Sequence, residues 1–516
     1  MRIGVDVGGT NTDAVLVDGR DVRGEAKRPT TPDVTEGIVR ALQALLPSTG
    51  DAVDGVQAVM IGTTHFTNAV VEGRRLSPTG VIRLGRPATE ALPPMVAWPA
   101  ALREAVGGHV HMCHGGHEFD GRRISAVDRE ELRRAAAAFA AANISTIAVS
   151  SVFSPVNAEA EHEAAAVLAE ELPGAAISVS HEIGRIGLLE RENATIMNAC
   201  LHDLATQIVA AFHSALAELG IDAPVYLSQN DGTLMTVDHA ERYPVATFAS
   251  GPTNSMRGAA FLSGLADCAV VDVGGTTSDI GILQHGFPRE ASVSVEIGGV
   301  RTNFRMPDVL SLGIGGGSHV HGTDVGPQSV GFELTSRALV FGGDTLTATD
   351  LAVAAGLASF GDPARVGGID PEPALARIEA RIAEAVDRMK TSPEPIPVVV
   401  VGGGSILLRD SLPGASELVK PEHFAVANAV GAAIAQAGGE VDKIVALEGT
   451  TRAAALDEAK EEAIAKAVEA GAVRDSVNVV DVEDVPIAYL PGDATRIRVK
   501  AVGDLDLGRI GVAAGG

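Results

Sequence analysis

Short, almost wholly apolar runs punctuate this chain. Arg2–Val7, Gln57–Ile61, Ser145–Val149, Ala269–Val273 and Pro397–Val401 are too short for stable helices and too apolar for loops. They are expected as buried strands. Between them lie longer stretches with helical character: Val34–Leu46, Arg129–Ala142, Ala158–Leu172, Glu192–Leu219 and Pro371–Met389. Strands alternating with helices predict an α/β fold of sheets covered by helices. The end of the chain differs. Lys443–Leu447 reads as a strand, Arg452–Ala470 as an Ala/Glu/Lys-rich helix, and Val477–Leu490 and Arg496–Val502 as further strands. A small α+β segment is therefore expected after residue 440. The run Thr391–Pro397 delivers the chain into the strand Val398–Val401.

One internal repeat stands above this background. Val5–Val17 reads VDVGGTNTDAVLV, and Val271–Leu283 reads VDVGGTTSDIGIL. The spacing is far beyond any solenoid period, so the repeat implies two similar domains that open with the same strand–turn–strand device. The expected division is 1–180, 181–440 and 441–516. An aspartate at a strand end followed by Gly-Gly-Thr suits phosphate chemistry. Glycines let backbone N–H groups approach an anion closely, and an Asp carboxylate is a hard oxygen ligand for Mg²⁺. Asp6 and Asp272 are thus candidate metal residues, and Gly8, Gly9, Thr10, Asn11, Thr12, Gly274, Gly275, Thr276 and Thr277 are candidate phosphate contacts. Two such hairpins across a cleft would grip a nucleoside triphosphate. A third element, Gly402, Gly403, Gly404 and Ser405, follows the strand Val398–Val401 and leaves room for a flat purine. Rival phosphate loops are missing, since no G-x-x-x-x-G-K-[ST] run occurs.

Composition narrows the function classes. Acidic residues outnumber basic ones 66 to 40, for a formal charge of −26, and aromatics make up only 3%. That balance argues against nucleic-acid binding, which needs a basic stripe and stacking platforms. The 59 glycines have no three-residue period, so they point to tight turns and ligand loops. Cys113, Cys200 and Cys268 are too scattered for a disulfide framework, and Cys200 and Cys268 sit in apolar surroundings that suit packed thiols. Asp6 interrupts any leader-like apolar stretch, and no window approaches the ~18–20 apolar residues of a membrane helix. A cytoplasmic, membrane-free protein is expected. His109, His111, Cys113, His114 and His117 fall within nine residues. In a strand, the first three share a face open to zinc, but the spacing matches no standard zinc site. His319 and His321 flank a second glycine loop and are candidate bases.

The order D-x-G-G-T, D-x-G-G-T and G-G-G-S resembles the superfamily of actin, sugar kinases and heat-shock chaperones. More narrowly, the chain resembles the hydantoinase A/5-oxoprolinase family. The matching stretches are Gly62–Val70, Ser250-Gly251-Pro252, Asp272–Asp279, Ser311–Ser318 and Val325–Ser329. The chain is shorter than the long A-type members, and Glu72-Gly73-Arg74-Arg75 stands where they often carry a Lys-containing stretch. The resemblance implies duplicated ribonuclease-H-like, actin-like ATPase domains with ATP between them. It implies ATP- and Mg²⁺-dependent opening of a cyclic amide or imide, such as a hydantoin, 5-oxoproline or a lactam. Asp6, Asp272 and Asp279 would be catalytic, with Asp13 assisting or capping its turn. Thr63, Thr64, Thr67 and Asn68 would lie near the ring, with Gly315, Gly316, Gly317 and Ser318 as a second cleft loop. Some members work with a B-type subunit, which is the expected partner here. The oligomeric state stays open, a homo-oligomer included. The alternatives are a small-molecule kinase or an ATP-dependent carboxylase subunit of the same superfamily.

Overall fold

The computed structural model describes residues 1–31, 34–49, 55–291, 295–303, 306–488 and 493–507. Two sheets are built on the repeated hairpins. In the first, Arg2–Val7 pairs antiparallel with Asn11–Asp18 and parallel with Ala58–Thr63. In the second, Cys268–Val273 pairs antiparallel with Ser278–Gln284 and parallel with Ile396–Val401. The register is the same in both: Asp6 lies opposite Asp13, and Asp272 lies opposite Asp279. The sequence repeat is therefore a repeat of structure. The apolar runs form central strands because both faces are covered, and Ile3, Val5, Val271 and Val398–Val401 are fully buried.

The first sheet has nine strands and runs through much of the chain. From one edge the order is Asn478–Pro486, Thr495–Gly503, Gln436–Val445, Thr233–Thr236, Val225–Ser228, Ala58–Thr63, Arg2–Val7, Asn11–Asp18 and Asp21–Pro29. It thus draws strands from each of the three segments expected from the sequence. Gln436–Val445 joins by parallel pairing to Thr233–Thr236, and Thr495–Gly503 then pairs antiparallel along its length. The helix Arg452–Glu469 covers this end through Ala455, Ala459, Ala463 and Ala467, all buried at four-residue spacing. The end of the expected strand Val477–Leu490 lies outside the described residues.

A four-stranded parallel sheet, ordered His109–His114, Thr79–Arg86, Thr146–Ser151 and Ala176–Val179, is inserted after Ala58–Thr63. It is tied to the helix Leu188–Cys200 by a buried ion pair between Arg83 and Glu192, whose carboxylate also accepts from Ser150 at 2.6 Å. The single helix expected over Glu192–Leu219 is two helices, Leu188–Cys200 and His202–Glu218. The chain tightens between them, where Leu201 N–H turns to the Asn198 carbonyl at 3.3 Å.

Two helices, Ser250–Ser263 and Ala427–Ala433, lie between the two hairpin sheets. Met256, Ala259 and Ala427 pack on the second sheet. Ala429, Val430 and Ala433 pack on Val15 and Val17 of the first. Where the helices cross, Gly258 faces the Ala427 carbonyl and Gly431 faces the Asn254 carbonyl. No helix among the described residues is long and apolar enough to cross a membrane.

Candidate active site

Each hairpin closes through one backbone bond at the same place. Gly8 N–H donates to the Asn11 carbonyl at 3.0 Å, and Gly274 N–H to the Thr277 carbonyl at 2.8 Å. The tips meet across the cleft: a Cβ on Gly275 would touch the Thr10 side chain at 3.4 Å. Gly9, Thr276 and Thr277 are exposed at these tips. Thr12 is placed differently. It is fully buried, with its hydroxyl 3.4 Å from that of Thr30, so it anchors the hairpin base and does not face the cleft.

Four carboxyl groups converge behind the tips. Asp6 and Asp13 are almost completely buried, and Asp272 and Asp279 are partly so. Asp6 Oδ2 accepts from Asn428 Nδ2 at 2.9 Å. Asp13 Oδ2 pairs with Lys27 Nζ at 2.7 Å. Asp279 Oδ1 accepts from the Ser311 hydroxyl at 2.5 Å. Burial, reinforced by the neighbouring Asp13 and Asp272, pushes the Asp6 carboxyl up to about 7. Burial, with Asp272 beside it, pushes Asp279 to about 6. Asp13 and Asp272 are raised for the same first reason, with Lys27 opposing the rise in both.

The strand that runs parallel to each aspartate strand carries a glycine at its end, Gly62 one residue before the end of Ala58–Thr63 and Gly402 one residue past Ile396–Val401. A Cβ on Gly62 would stand 2.5 Å from Asp6 Oδ1 and 2.5 Å from Asn254 Nδ2. A Cβ on Gly402 would collide with Asp272 Oδ1, and its φ of +86° favours glycine as well. Each glycine thus leaves a hollow that the carboxylate fills. Asp6 Oδ1 and Asp13 Oδ1 are buried without a hydrogen-bond partner. Buried acceptors of that kind call for a cation or ordered water. Asp6 and Asp13 thus keep one buried acceptor each for a cation or water, while among the described residues no three of the four carboxylates bring ligand atoms within 4.8 Å of one another.

The remaining candidates divide. Thr63 is buried, its hydroxyl 2.7 Å from His65 Nδ1. Thr64 N–H and hydroxyl both reach the Val7 carbonyl at 3.3 Å, beside the first hairpin. Thr67 is partly exposed and Asn68 exposed on the following helix, His65–Glu72. The Ser250 hydroxyl donates to the Thr63 carbonyl at 3.3 Å, which joins the start of the helix Ser250–Ser263 to this rim. Gly315, Gly316, Gly317 and Ser318 do not line the cleft. They are buried, and Gly316 and Gly317 donate to the Gly274 and Gly275 carbonyls at 3.0 and 2.7 Å. Those two N–H groups prop the second hairpin, while Gly315 N–H donates to the Ser318 hydroxyl at 2.9 Å and Ser318 N–H to the Gly315 carbonyl at 3.0 Å. In the third turn, Gly403 is exposed, while the Ser405 hydroxyl bonds back to the Gly402 carbonyl.

Of the histidine cluster, His114 lies with Asp128 and Glu131 in a grouping whose ligand atoms fall within 4.8 Å of one another. Arg86 already occupies Glu131 at 3.2 Å, and burial pushes the Cys113 thiol up to about 12. Sequence reasoning missed Lys27, Asn254, Asn428 and Ser255, whose hydroxyl hydrogen-bonds Asp272. None belongs to the repeat, and Asn428 is 422 positions from the carboxylate it holds.

Comparison with known proteins bears on this arrangement. A family model described as the hydantoinase/oxoprolinase N-terminal region matches residues 2–172, and one described as hydantoinase/oxoprolinase matches residues 191–359. Caprolactamase subunit alpha of Pseudomonas jessenii is 28% identical over 422 residues, which cover 74% of this chain and 58% of that protein. The acetophenone carboxylase gamma subunit of Aromatoleum aromaticum is 26% identical over 392 residues, covering 69% of this chain and 53% of its own. The chain thus spans less than two thirds of the length of these curated relatives. The solved structure of ATP-dependent caprolactamase from Pseudomonas jessenii aligns with a TM-score of 0.77 at 19% identity, covering 98% of this chain and 87% of that one. Nucleotide-free acetone carboxylase aligns with a TM-score of 0.68 at 17% identity, covering 98% and 88%. The duplicated α/β fold is shared with both.

Proposed function

The chain belongs to the hydantoinase/oxoprolinase family, and from that premise we propose that it is the ATP-using part of an enzyme that activates the carbonyl of a cyclic amide for ring opening. The observation that carries this reading is the pair of hairpins in identical register, tips in contact, with four carboxyl groups converging behind them. An unstrained amide is a poor electrophile with a poor leaving group. ATP with Mg²⁺, when bound, supplies a phosphoryl group to the amide oxygen and makes the carbon open to water.

The chain's own residues do the rest by positioning. The backbone N–H groups of the exposed tip residues Gly9, Thr276 and Thr277 would take the phosphates, and the exposed Gly403 would border the nucleotide. Asp6, Asp13, Asp272 and Asp279 would hold the cation, whose positive charge would favour their ionised form. Thr64, Thr67 and Asn68 form a neutral, hydrogen-bonding rim for the ring. The relatives named above are subunits, and this chain is accordingly read as one half of an assembly whose partner completes hydrolysis.

The test is phosphate release from ATP and Mg²⁺ by the purified chain against lactams, hydantoins and 5-oxoproline. Stimulation by one class of ring supports the reading, and failure to bind ATP at all ends it. Full-rate ring opening by the chain alone would remove the partner. The likeness to a carboxylase subunit favours one second reading, in which the activated carbonyl belongs to a ketone and bicarbonate is the co-substrate. ADP formation that requires both ketone and bicarbonate identifies that case.

A further inference from the structure

The two halves of the cleft match strand for strand until the third strand. In the first half the register runs Asp6, Asp13, Lys27. In the second it runs Asp272, Asp279, Ser311. The third residue bonds the second aspartate in both: Lys27 Nζ reaches Asp13 Oδ2 at 2.7 Å, and Ser311 Oγ reaches Asp279 Oδ1 at 2.5 Å. The same structural place is thus filled by a cation on one side and by a neutral hydroxyl on the other.

Lys27 is also placed to act across the cleft. It sits on Asp21–Pro29, yet its ammonium donates to the Ala425 carbonyl at 3.0 Å. Its Cε would be 3.9 Å from a Cβ on Gly403, the exposed residue of the third glycine turn. The adjoining segment links both halves: Phe424 O accepts from Gly402 N–H at 2.8 Å, and Asn428 holds Asp6. An ammonium has three N–H donors, and two are engaged. The side chain is about one third exposed.

We propose that Lys27 is a nucleotide-binding residue that orients the ligand: its free N–H takes the terminal phosphate of a nucleoside triphosphate on the side of the first hairpin, and the neutral Ser311 makes the second side the poorer place for that charge. The proposal rests on the ATP reading above. Two hairpins in identical register otherwise offer the terminal phosphate two similar seats. A charge-assisted bond to phosphate at one of them separates the two.

The experiment is calorimetric titration of ATP and of ADP, each with Mg²⁺, into the full chain and into Lys27→Met, Lys27→Arg and Ser311→Ala. The wild type is expected to prefer ATP. Lys27→Met should lose ATP affinity by about tenfold or more, the worth of a charged hydrogen bond, while ADP affinity moves much less. Lys27→Arg should restore part of the preference, and Ser311→Ala should keep it. An unchanged ATP-to-ADP ratio in Lys27→Met overturns the assignment and leaves Lys27 as a counter-ion of Asp13. If Lys27→Met fails to fold with Asp13 unpaired, the double variant Lys27→Met/Asp13→Asn is read by the same ratio against Asp13→Asn. A wild type that binds neither nucleotide overturns the ATP reading itself, whereas a binding wild type with an unaltered variant ratio overturns only the role of Lys27.

Discussion

Replacing Asp6 by Asn should make the metal-free protein more stable at pH 8, although it removes a group central to the site. Asp6 is almost fully buried and faces Asp13 and Asp272, with Asn428 and Lys27 opposing the rise. Its carboxyl is raised from 3.8 to about 7. At about 1.36 kcal/mol per unit, keeping it ionised above pH 7 costs the fold about 4 kcal/mol. Asn keeps the oxygen that Asn428 needs but puts an NH₂ where Oδ1 has no partner, at about 1–3 kcal/mol. The net gain is therefore about 1–3 kcal/mol. The sign follows from linkage. Between 3.8 and about 7 the folded protein binds more protons at this site than the unfolded chain, so wild-type stability falls as pH rises through that window. The variant lacks that fall. Urea unfolding of both proteins in chelator, from pH 4 to 8.5, measures the difference. It should be small or reversed at the acid end and grow in favour of Asp6→Asn as pH rises. A variant less stable than wild type at pH 8, or two parallel pH curves, would refute the reasoning about burial and like-charge crowding.

Other outcomes follow from the same geometry. Gly62→Ala drives a methyl against Asp6 Oδ1 and Asn254 Nδ2, and should cost about 1–3 kcal/mol in chemical unfolding; a neutral result would show that the hollow is not needed. Asp272→Ala should abolish phosphoryl transfer while circular dichroism stays that of the wild type, and retained ATP turnover would sink the role given to the repeated motif. Ending the chain before Thr495 removes the buried Ile497, Val499 and Ala501 from the nine-stranded sheet, at about 1.5–3 kcal/mol for each large side chain. The truncated protein should be insoluble or melt well below the full chain, and cooperative wild-type-like melting would show that the tail folds apart from the first sheet.

The strands and hairpins were legible because they are local. A run of five or six apolar residues can be buried only in a few ways, and Gly-Gly between two strands closes a turn whatever surrounds it. The helix Arg452–Glu469 was visible for the same reason. The tail's attachment was not. Pairing of Gln436 with Thr233 spans about two hundred residues and leaves no periodic trace in either segment. The glycines at 315–317 show the opposite failure. Their composition matches that of a ligand loop, but the Gly316 and Gly317 amides are consumed by the carbonyls of Gly274 and Gly275, and that of Gly315 by the Ser318 hydroxyl. Composition reports that backbone comes close to something, without saying to what.

By itself the sequence determined the α/β class, the duplicated hairpin and the aspartates that belong to it, since these depend on spacing within a dozen residues. The tertiary structure alone decided what surrounds those aspartates. Folding brings Lys27, Asn428 and Ser311 to three of the four carboxyl groups, and places a glycine beside Asp6 and another beside Asp272. The physical reason is that the ionisation of a carboxyl is set by burial and by charges a few ångströms away. Those neighbours come from strands and helices far apart in the chain, and only packing chooses them.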